Sequence, residues 1–355
     1  MPGLLNRPTR RGKEPRAKLD VTPIWHADIG DYVQGVAWSA EGDLAAASIS
    51  GPIAIFDTNN DRKHEWPGHG FGTTAISWNR DGTRLASVGQ DQTVKVYDSG
   101  SDEQLWEMPI GTAWCEATAW SPVDHVLATA AGRTLTLFGG DGSLIRSEDG
   151  HGSTISDLAW SPDGSTVAVT HYGGLTIWPV DPAAGGQALA WKGSSLRLAW
   201  SPNGAYIATG DQDSTVHFWE TATSLDLQMW GYPTKVLQLA WHPSSRFLAT
   251  GGGPSIVVWD CGGKGPENTT PVMLDGNEEH VSALAYRPDG SLLVSGYDDG
   301  RLCFWNPGKS KRPILALEPR PDGDLTGISQ LSWSVDGQRL AVGHANGTVA
   351  VVGVG

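Results

Sequence analysis

The stretch LAWSPDG, residues 158–164, constrains this chain more than any other feature, because near-copies of it return at an almost fixed interval. The copies are VAWSAEG around Trp38, ISWNRDG around Trp78, TAWSPVD around Trp120, LAWSPDG around Trp160, LAWSPNG around Trp200, LAWHPSS around Trp241, LAYRPDG around Tyr286 and LSWSVDG around Trp333. Their aromatic anchors lie 40, 42, 40, 40, 41, 45 and 47 residues apart. A period of this size means one structural unit copied along the chain, so 355 residues need not divide into several ordinary domains.

After each anchor come two more apolar runs, such as RLASVG (84–89) followed by TVKVYD (93–98), or YIATGD (206–211) followed by TVHFWE (215–220). Each is short, rich in β-branched and aromatic residues and bounded by Gly, Asp, Asn or Pro, which is the pattern of strands joined by hairpins. The pairs Asp81-Gly82, Asp163-Gly164, Asn203-Gly204, Asp289-Gly290 and Asp336-Gly337 supply residues that accept positive φ, as a tight turn between twisted strands requires. A fourth, weaker strand follows in most repeats, for example QLWEM (104–108) or LIRSE (144–148). No segment has helical period over a useful length.

Four antiparallel strands in about 42 residues cannot bury both faces alone, so each sheet needs neighbours. Arranging the sheets radially buries every inner face and leaves only short edges, which predicts an all-β propeller. Repeat eight stops after TVAVVG (348–353), while TPIWHAD (22–28) stands before the first anchor and looks like an outer strand. The ring is therefore expected to close by pairing this N-terminal strand with the C-terminal repeat. Eight anchors plus the borrowed strand predict eight four-stranded blades, with seven as the alternative.

These residues resemble the WD40 repeat family over residues 21–355. The family places Gly-His before the first strand, an SPDG-type turn after it, Asp in the next turn and Trp-Asp at the end of the third strand. Repeat two has nearly all of this in Gly68-His69, Ser87, Asp91 and Tyr97-Asp98. Repeat five keeps Thr209, Asp213 and Trp219, and repeat seven keeps Ser295, Asp299 and Trp305, with Asn277 where the His would align. The resemblance implies that such residues form a buried hydrogen-bonded network inside a blade, structural and not catalytic. It also implies assembly of complexes in place of chemistry.

Other motifs carry less. HEWPGH (64–69) has its histidines five apart around a proline, whereas a zinc-binding HExxH needs them four apart on a helix. PGKS (307–310) ends like a phosphate loop, but the required glycine is Cys303. GGGPS (251–255) reads as a hairpin turn, and no GxSxG occurs. Three cysteines without CxxC spacing argue against disulfides or a cysteine zinc site and for a reducing compartment, read as the cytoplasm. The paired arginines of MPGLLNRPTRRGKEP lack an apolar run after them, so no secretory signal is expected. Residues 1–20 carry six basic and two acidic side chains and are expected to form a disordered basic tail on a repeat domain spanning 21–355. The net charge is −14 for the whole chain and −18 for the body beyond residue 20, and nucleic acid would be repelled on average.

Seventeen tryptophans are the most unusual count. Seven are anchors and four end third strands, all expected between blades, whereas Trp25, Trp66, Trp106, Trp191 and Trp230 recur on outer strands, where packing inward is favoured over an exposed rim. A candidate partner surface is the face carrying the loops into each first strand and the turns between second and third strands. It holds Phe71, Trp114, Tyr172, Lys192, Tyr232, Lys235, His280 and Tyr297, with Gln212, Asp324 and His344 nearby.

The sequence thus predicts a non-enzymatic scaffold binding a protein or peptide on that face or at the channel mouth, with no catalytic residue, no cofactor and no metal. Two alternatives remain open. One is a metal-binding or enzymatic site among channel-facing residues. The other is a nucleic-acid-associated factor acting through the basic tail.

Overall fold

The fold is given by a computed structural model that describes residues 19–263, 265–267, 269–319 and 326–355. The basic tail through residue 18 and Asp324 lie outside the described residues. Every regular element among them is a strand.

Each repeat begins with an inner strand that ends on its anchor aromatic, as in Val33–Trp38, Thr73–Trp78 and Val281–Tyr286. The chain then turns on the residue four positions past the anchor. Gly82, Gly164, Gly204, Gly290 and Gly337 occupy that place with φ of 72, 69, 72, 75 and 67°, a region where a Cβ is penalised. In repeat six Ser245 takes the same place with φ 61°. The second and third strands are almost wholly buried, as in Leu44–Ser48 with Ile53–Phe56, and the outer strand alternates exposed and covered residues, as in Gln104–Pro109. Period-2 alternation on the outside and continuous apolar runs inside follow from sheets packed on both faces near the axis and on fewer sides at the rim.

The blades are four-stranded and antiparallel, and the ring closes as expected. Strand Val21–Asp28 pairs with Thr348–Val354, with Thr22 opposite Gly353 and Asp28 opposite Thr348. This closing pair uses the two ends of the chain to remove the sheet edge that would otherwise stay open.

The expectation of eight four-stranded blades needs correction to the alternative of seven. Counted as hydrogen-bonded sheets, the blades number seven: six have four strands and one has six. The six-stranded sheet holds repeats four and five. Strand Thr166–Pro179 runs through the place of the hairpin between second and third strands, and Gln187–Trp200 runs from the outer strand of repeat four into the inner strand of repeat five. Tyr172 pairs with Ser194, so the short Lys192-Gly193 connection is drawn into the sheet in place of standing above it as a loop.

Eight apolar clusters fill the spaces between successive repeats; one joins Ala45, Ile53, Ile55 and Trp66 to Leu85 and Tyr97. A second tie runs around the ring. Five of the seven anchor indoles donate to the carbonyl just before the preceding anchor: Trp38 to Ser332, Trp78 to Ala37, Trp160 to Ala119, Trp200 to Ala159 and Trp241 to Ala199, at 2.8–3.2 Å, whereas those of Trp120 and Trp333 have no partner. Each such bond contributes about 1 kcal/mol. The repeated tryptophan is thus both filler and fastener, because its flat ring packs between sheets while its one N–H registers them.

Cys115, Cys261 and Cys303 are free and buried, and burial pushes the thiols of Cys261 and Cys303 up to about 12. They serve here as small apolar fillers.

Candidate functional site

The loop face can present side chains in fixed positions because polar groups pin its backbone from below. In repeat two His69 is buried and bridges Ser87 Oγ at 2.7 Å and Asp91 Oδ1 at 2.8 Å. Burial would raise the Asp91 pKa, but hydrogen bonds from His69, Thr93 and the Gly70 amide outweigh it and hold the carboxylate below its ordinary range. Burial also lowers the His69 pKa, against the pull of Asp91. The ring is therefore neutral, donating from Nδ1 to Asp91 and accepting the Ser87 hydroxyl at Nε2. Tyr97 completes the group, stacked on Trp66 with centroids 4.4 Å apart and with its phenol pushed up to about 12, chiefly by burial.

Other repeats fill the same volume differently. The position nine residues before each anchor, which carries His69 in repeat two, carries His151 in repeat four, Trp191 in repeat five, Tyr232 in repeat six and Asn277 in repeat seven. His151 accepts from Trp178 Nε1 at 3.0 Å and contacts the Arg133 carbonyl at 2.8 Å. The Tyr232 hydroxyl meets Thr250 Oγ1 at 2.6 Å and accepts from Trp259 Nε1 at 2.8 Å. In repeat seven Asn277 donates to both oxygens of Asp299 at 2.9 and 3.0 Å, while Trp305 Nε1 donates to Ser295 Oγ at 2.8 Å. In repeat five Thr215 donates to Asp213 at 2.8 Å, Thr209 lies 3.5 Å from Asp211, and Trp219 Nε1 has no partner.

Two residues expected on the partner face are not on it. Tyr232 serves the network inside repeat six, and Tyr297 is fully buried beside Trp305 and Cys303. The position of Tyr232 relative to its anchor is the signal that sequence reading passed over, since a tyrosine hydroxyl can replace an imidazole as a hydrogen-bond bridge. His344 is also buried, against the Thr326 carbonyl.

Phe71 is 90% exposed, Tyr172 59% and Trp114 56%, and Lys192, Lys235 and His280 are exposed as well. The structure adds Tyr32 and Ile49 from repeat one to this face. Of the outer-strand tryptophans, Trp66 is buried, Trp25, Trp106 and Trp191 are half-buried, and Trp230 alone is exposed, at 78%.

The inner strands enclose a cavity of about 460 Å³ lined from every repeat, by Gln34, Thr74, Glu116, Asp157, Arg197, Gln238, Ser282 and Gln330 among others. Its charged groups come from three consecutive repeats. Asp157 accepts from the amides of Leu158 and Leu198 at 3.0 Å. Burial raises the Asp157 pKa and is opposed first by Arg197 and then by those amides. Burial raises Glu116 too, again with Arg197 opposing. This wall can hold a polar or charged side chain. Among the described residues no group of three or more His, Cys, Asp or Glu is placed to hold a metal ion, and no helix is long and apolar enough to cross a membrane.

Comparison with known proteins places these features. A family profile described as "WD domain, G-beta repeat" matches residues 60–98, 142–178, 192–220, 227–260 and 269–306. Protein FIZZY-RELATED 1 of Arabidopsis thaliana is 27% identical over 331 residues, covering 86% of this chain and 65% of that protein. Guanine nucleotide-binding protein subunit beta-1 of Nicotiana tabacum is 20% identical over 299 residues, covering 79% and 68%. Anaphase-promoting complex subunit cdc20 of Dictyostelium discoideum is 27% identical over 258 residues, covering 65% and 48%. The chain thus spans about two thirds or less of these relatives' lengths. Among solved structures, the crystal structure of the computationally designed Ika8 protein superposes with a TM-score of 0.76 at 20% identity, covering 91% of this chain and 96% of that one, and bears on fold alone. The chain has a WD40-repeat β-propeller fold.

Proposed function

We propose that this chain works as a non-enzymatic protein-interaction scaffold, seating a protein or peptide on the loop face around the channel mouth. The observation that carries this reading is the set Phe71, Trp114 and Tyr172: three large rings more than half exposed, the first two on loops and Tyr172 at the bend of a strand, each on backbone held by hydrogen bonds at or beside it. Isolated exposed apolar residues are ordinary, but aromatics gathered on one rigid face are what recognition surfaces use. The relatives agree with it, two of them being described as subunits of larger assemblies. Lys192, Lys235 and His280 supply polar contacts on the same face.

The same reading takes residues 21–355 as one repeat domain of eight units, two of which share the six-stranded sheet. Supporting this is the bond from Trp200 to the Ala159 carbonyl, which relates repeats four and five as Trp78 and Ala37 relate repeats two and one. Residues 1–20 would be a basic extension outside that domain. Three unpaired buried cysteines suit a reducing, cytoplasmic setting.

Quantitative co-purification tests the reading, comparing the wild-type chain with a triple variant Phe71→Ala, Trp114→Ala, Tyr172→Ala of equal thermal stability. The triple variant is expected to lose the partners that the wild type retains. An unchanged partner list would reject the loop face.

A further inference from the structure

We propose that the junction of repeats one and two is a socket for a partner segment that presents an apolar side chain flanked by lysine or arginine. This deepens the loop-face reading and rests on it.

The socket centres on the sequence Gly70-Phe71-Gly72. Phe71 has φ 66°, left-handed backbone in which an L side chain is penalised, although a glycine stands on either side of it. A bulky ring in that conformation is usually held there by its packing, yet Phe71 is 90% exposed and belongs to none of the apolar clusters. The left-handed residue closes the turn in which the Gly72 amide donates to the His69 carbonyl at 3.1 Å, but that turn requires no aromatic, so the exposed ring has no packing role within the folded chain. A bulky ring left exposed at a turn position where glycine would be less strained points to binding.

The ring does not stand alone. Ile49 accepts from the Thr73 amide at 3.0 Å and donates its own amide to Tyr32 at 2.9 Å, so the loops bearing Tyr32, Ile49 and Phe71 are tied by backbone bonds across two repeats. Tyr32 is 39% and Ile49 37% exposed, so three exposed apolar side chains stand on loops tied to one another.

The charges beside these side chains are mostly negative, with Lys95 lying 3.8 Å from Asp91. Asp31 accepts from the Ser50 hydroxyl and, at 2.6 Å, from the Tyr32 amide, which together keep it ionised. Asp91 holds the Gly70 amide at 2.9 Å, directly behind Phe71. Asp298 lies close enough to add to the effect of burial in raising the Tyr32 phenol. Exposed Glu278 and Glu279 precede the same inner strand as His280, whose carbonyl accepts the Asp298 amide. Of the exposed cations near the loop face, Lys192, Arg197 and Lys235 belong to repeats five and six, on the other side of the ring, and Arg133 to repeat three, where it donates to the His151 carbonyl. A set of exposed apolar side chains with carboxylates around it favours an apolar side chain with cationic neighbours and repels an acidic segment.

The test is a selection of random linear nonapeptides displayed on phage, run on the full chain and counter-run on Phe71→Gly. Glycine suits the local backbone, so this variant should melt no lower than the wild type. The expected result is enrichment of a large apolar residue flanked by Lys or Arg, with synthetic copies binding Phe71→Gly roughly tenfold more weakly or worse and losing affinity as salt is raised. Enrichment of acidic peptides, or equal binding to Phe71→Gly, would overturn the socket. If such peptides still depend on Trp114 and Tyr172, the loop-face reading stands without it; if nothing is enriched, both fall. Self-association that Phe71→Gly abolishes, seen as a concentration-dependent mass in light scattering, would make a second copy the occupant and overturn the proposal.

Discussion

In repeat two a buried histidine has both ring nitrogens occupied, by Ser87 and Asp91; in repeat five the same part of the blade holds Trp191, His217 and Trp219, and their Nε1, Nε2 and Nε1 atoms have no hydrogen-bond partner. Repeat five also encloses the Asp211 carboxylate completely. What it has in exchange is packing and sheet continuity. His217 lies 3.8 Å from Trp191 by ring centroids and reaches Asp226 at 2.7 Å, and the inner strand is continuous with the outer strand of repeat four. A blade can therefore be fixed by a satisfied polar network or by backbone ties to its neighbour. The two are expected to respond differently to substitution and to pH.

The largest contrast is at the histidine. Replacing His69 by Ala removes the bridge and leaves Ser87 and Asp91 facing a void, at a cost of about 3 kcal/mol by urea unfolding. Burial holds the His69 pKa below its ordinary value, so its contribution is present above the ordinary histidine value and is lost as pH falls through the lower folded one. Repeat five has the opposite sign. Burial pushes Asp211 up to about 6 from an ordinary 3.8, with nearby hydroxyls and His217 opposing, so its contribution is full below 3.8 and is lost as pH rises through about 6. Asp211→Asn should accordingly raise stability at pH 8 by roughly 2 kcal/mol and have little effect at pH 4. A gain that is the same at both pH values would mean that the buried charge is not the cause.

Between these lies repeat six, where Tyr232 does the work of the histidine. Tyr232→Phe keeps the ring and deletes the hydroxyl that joins Thr250 to Trp259, and should cost about 1.5 kcal/mol in chemical unfolding. A cost near zero would place Tyr232 with the loosely satisfied class of repeat five.

Much of this was legible beforehand. The anchors, the positive-φ glycines at Gly82, Gly164, Gly204, Gly290 and Gly337, and the closing strand Val21–Asp28 all follow from local spacing and turn chemistry, which a single sequence states directly. The sharing of one sheet by repeats four and five was not legible, because it depends on Tyr172 meeting Ser194, a pairing across two turns that no residue type announces. Tyr232 and Tyr297 looked like loop-face aromatics because a tyrosine before or after an inner strand can point either way, and only the surrounding cavity decides. Trp66 ends its outer strand and is buried, whereas Trp230 lies just past the end of its own, Asp226–Met229, and is exposed, a difference that similar letters do not announce. Phe71 was recognised as a surface ring, but its left-handed backbone could not be read from its letters.

The finest test compares two indoles at the same position in different repeats. Trp305 and Trp219 are both buried at the end of a third strand; Trp305 donates to Ser295, whereas Trp219 donates to nothing. Changing either to Phe loses similar ring area, so the packing cost is shared and the difference between the two variants reports the hydrogen bond. Trp305→Phe should be more destabilising than Trp219→Phe by about 1 kcal/mol, with Ser295 left unpaired as the added cost. If the two melt together, the N–H of Trp305 adds nothing to its packing. Repeats seven and five would then be held equally at this position, and the contrast between a satisfied and an unsatisfied blade would rest on the pH dependence of His69 and Asp211.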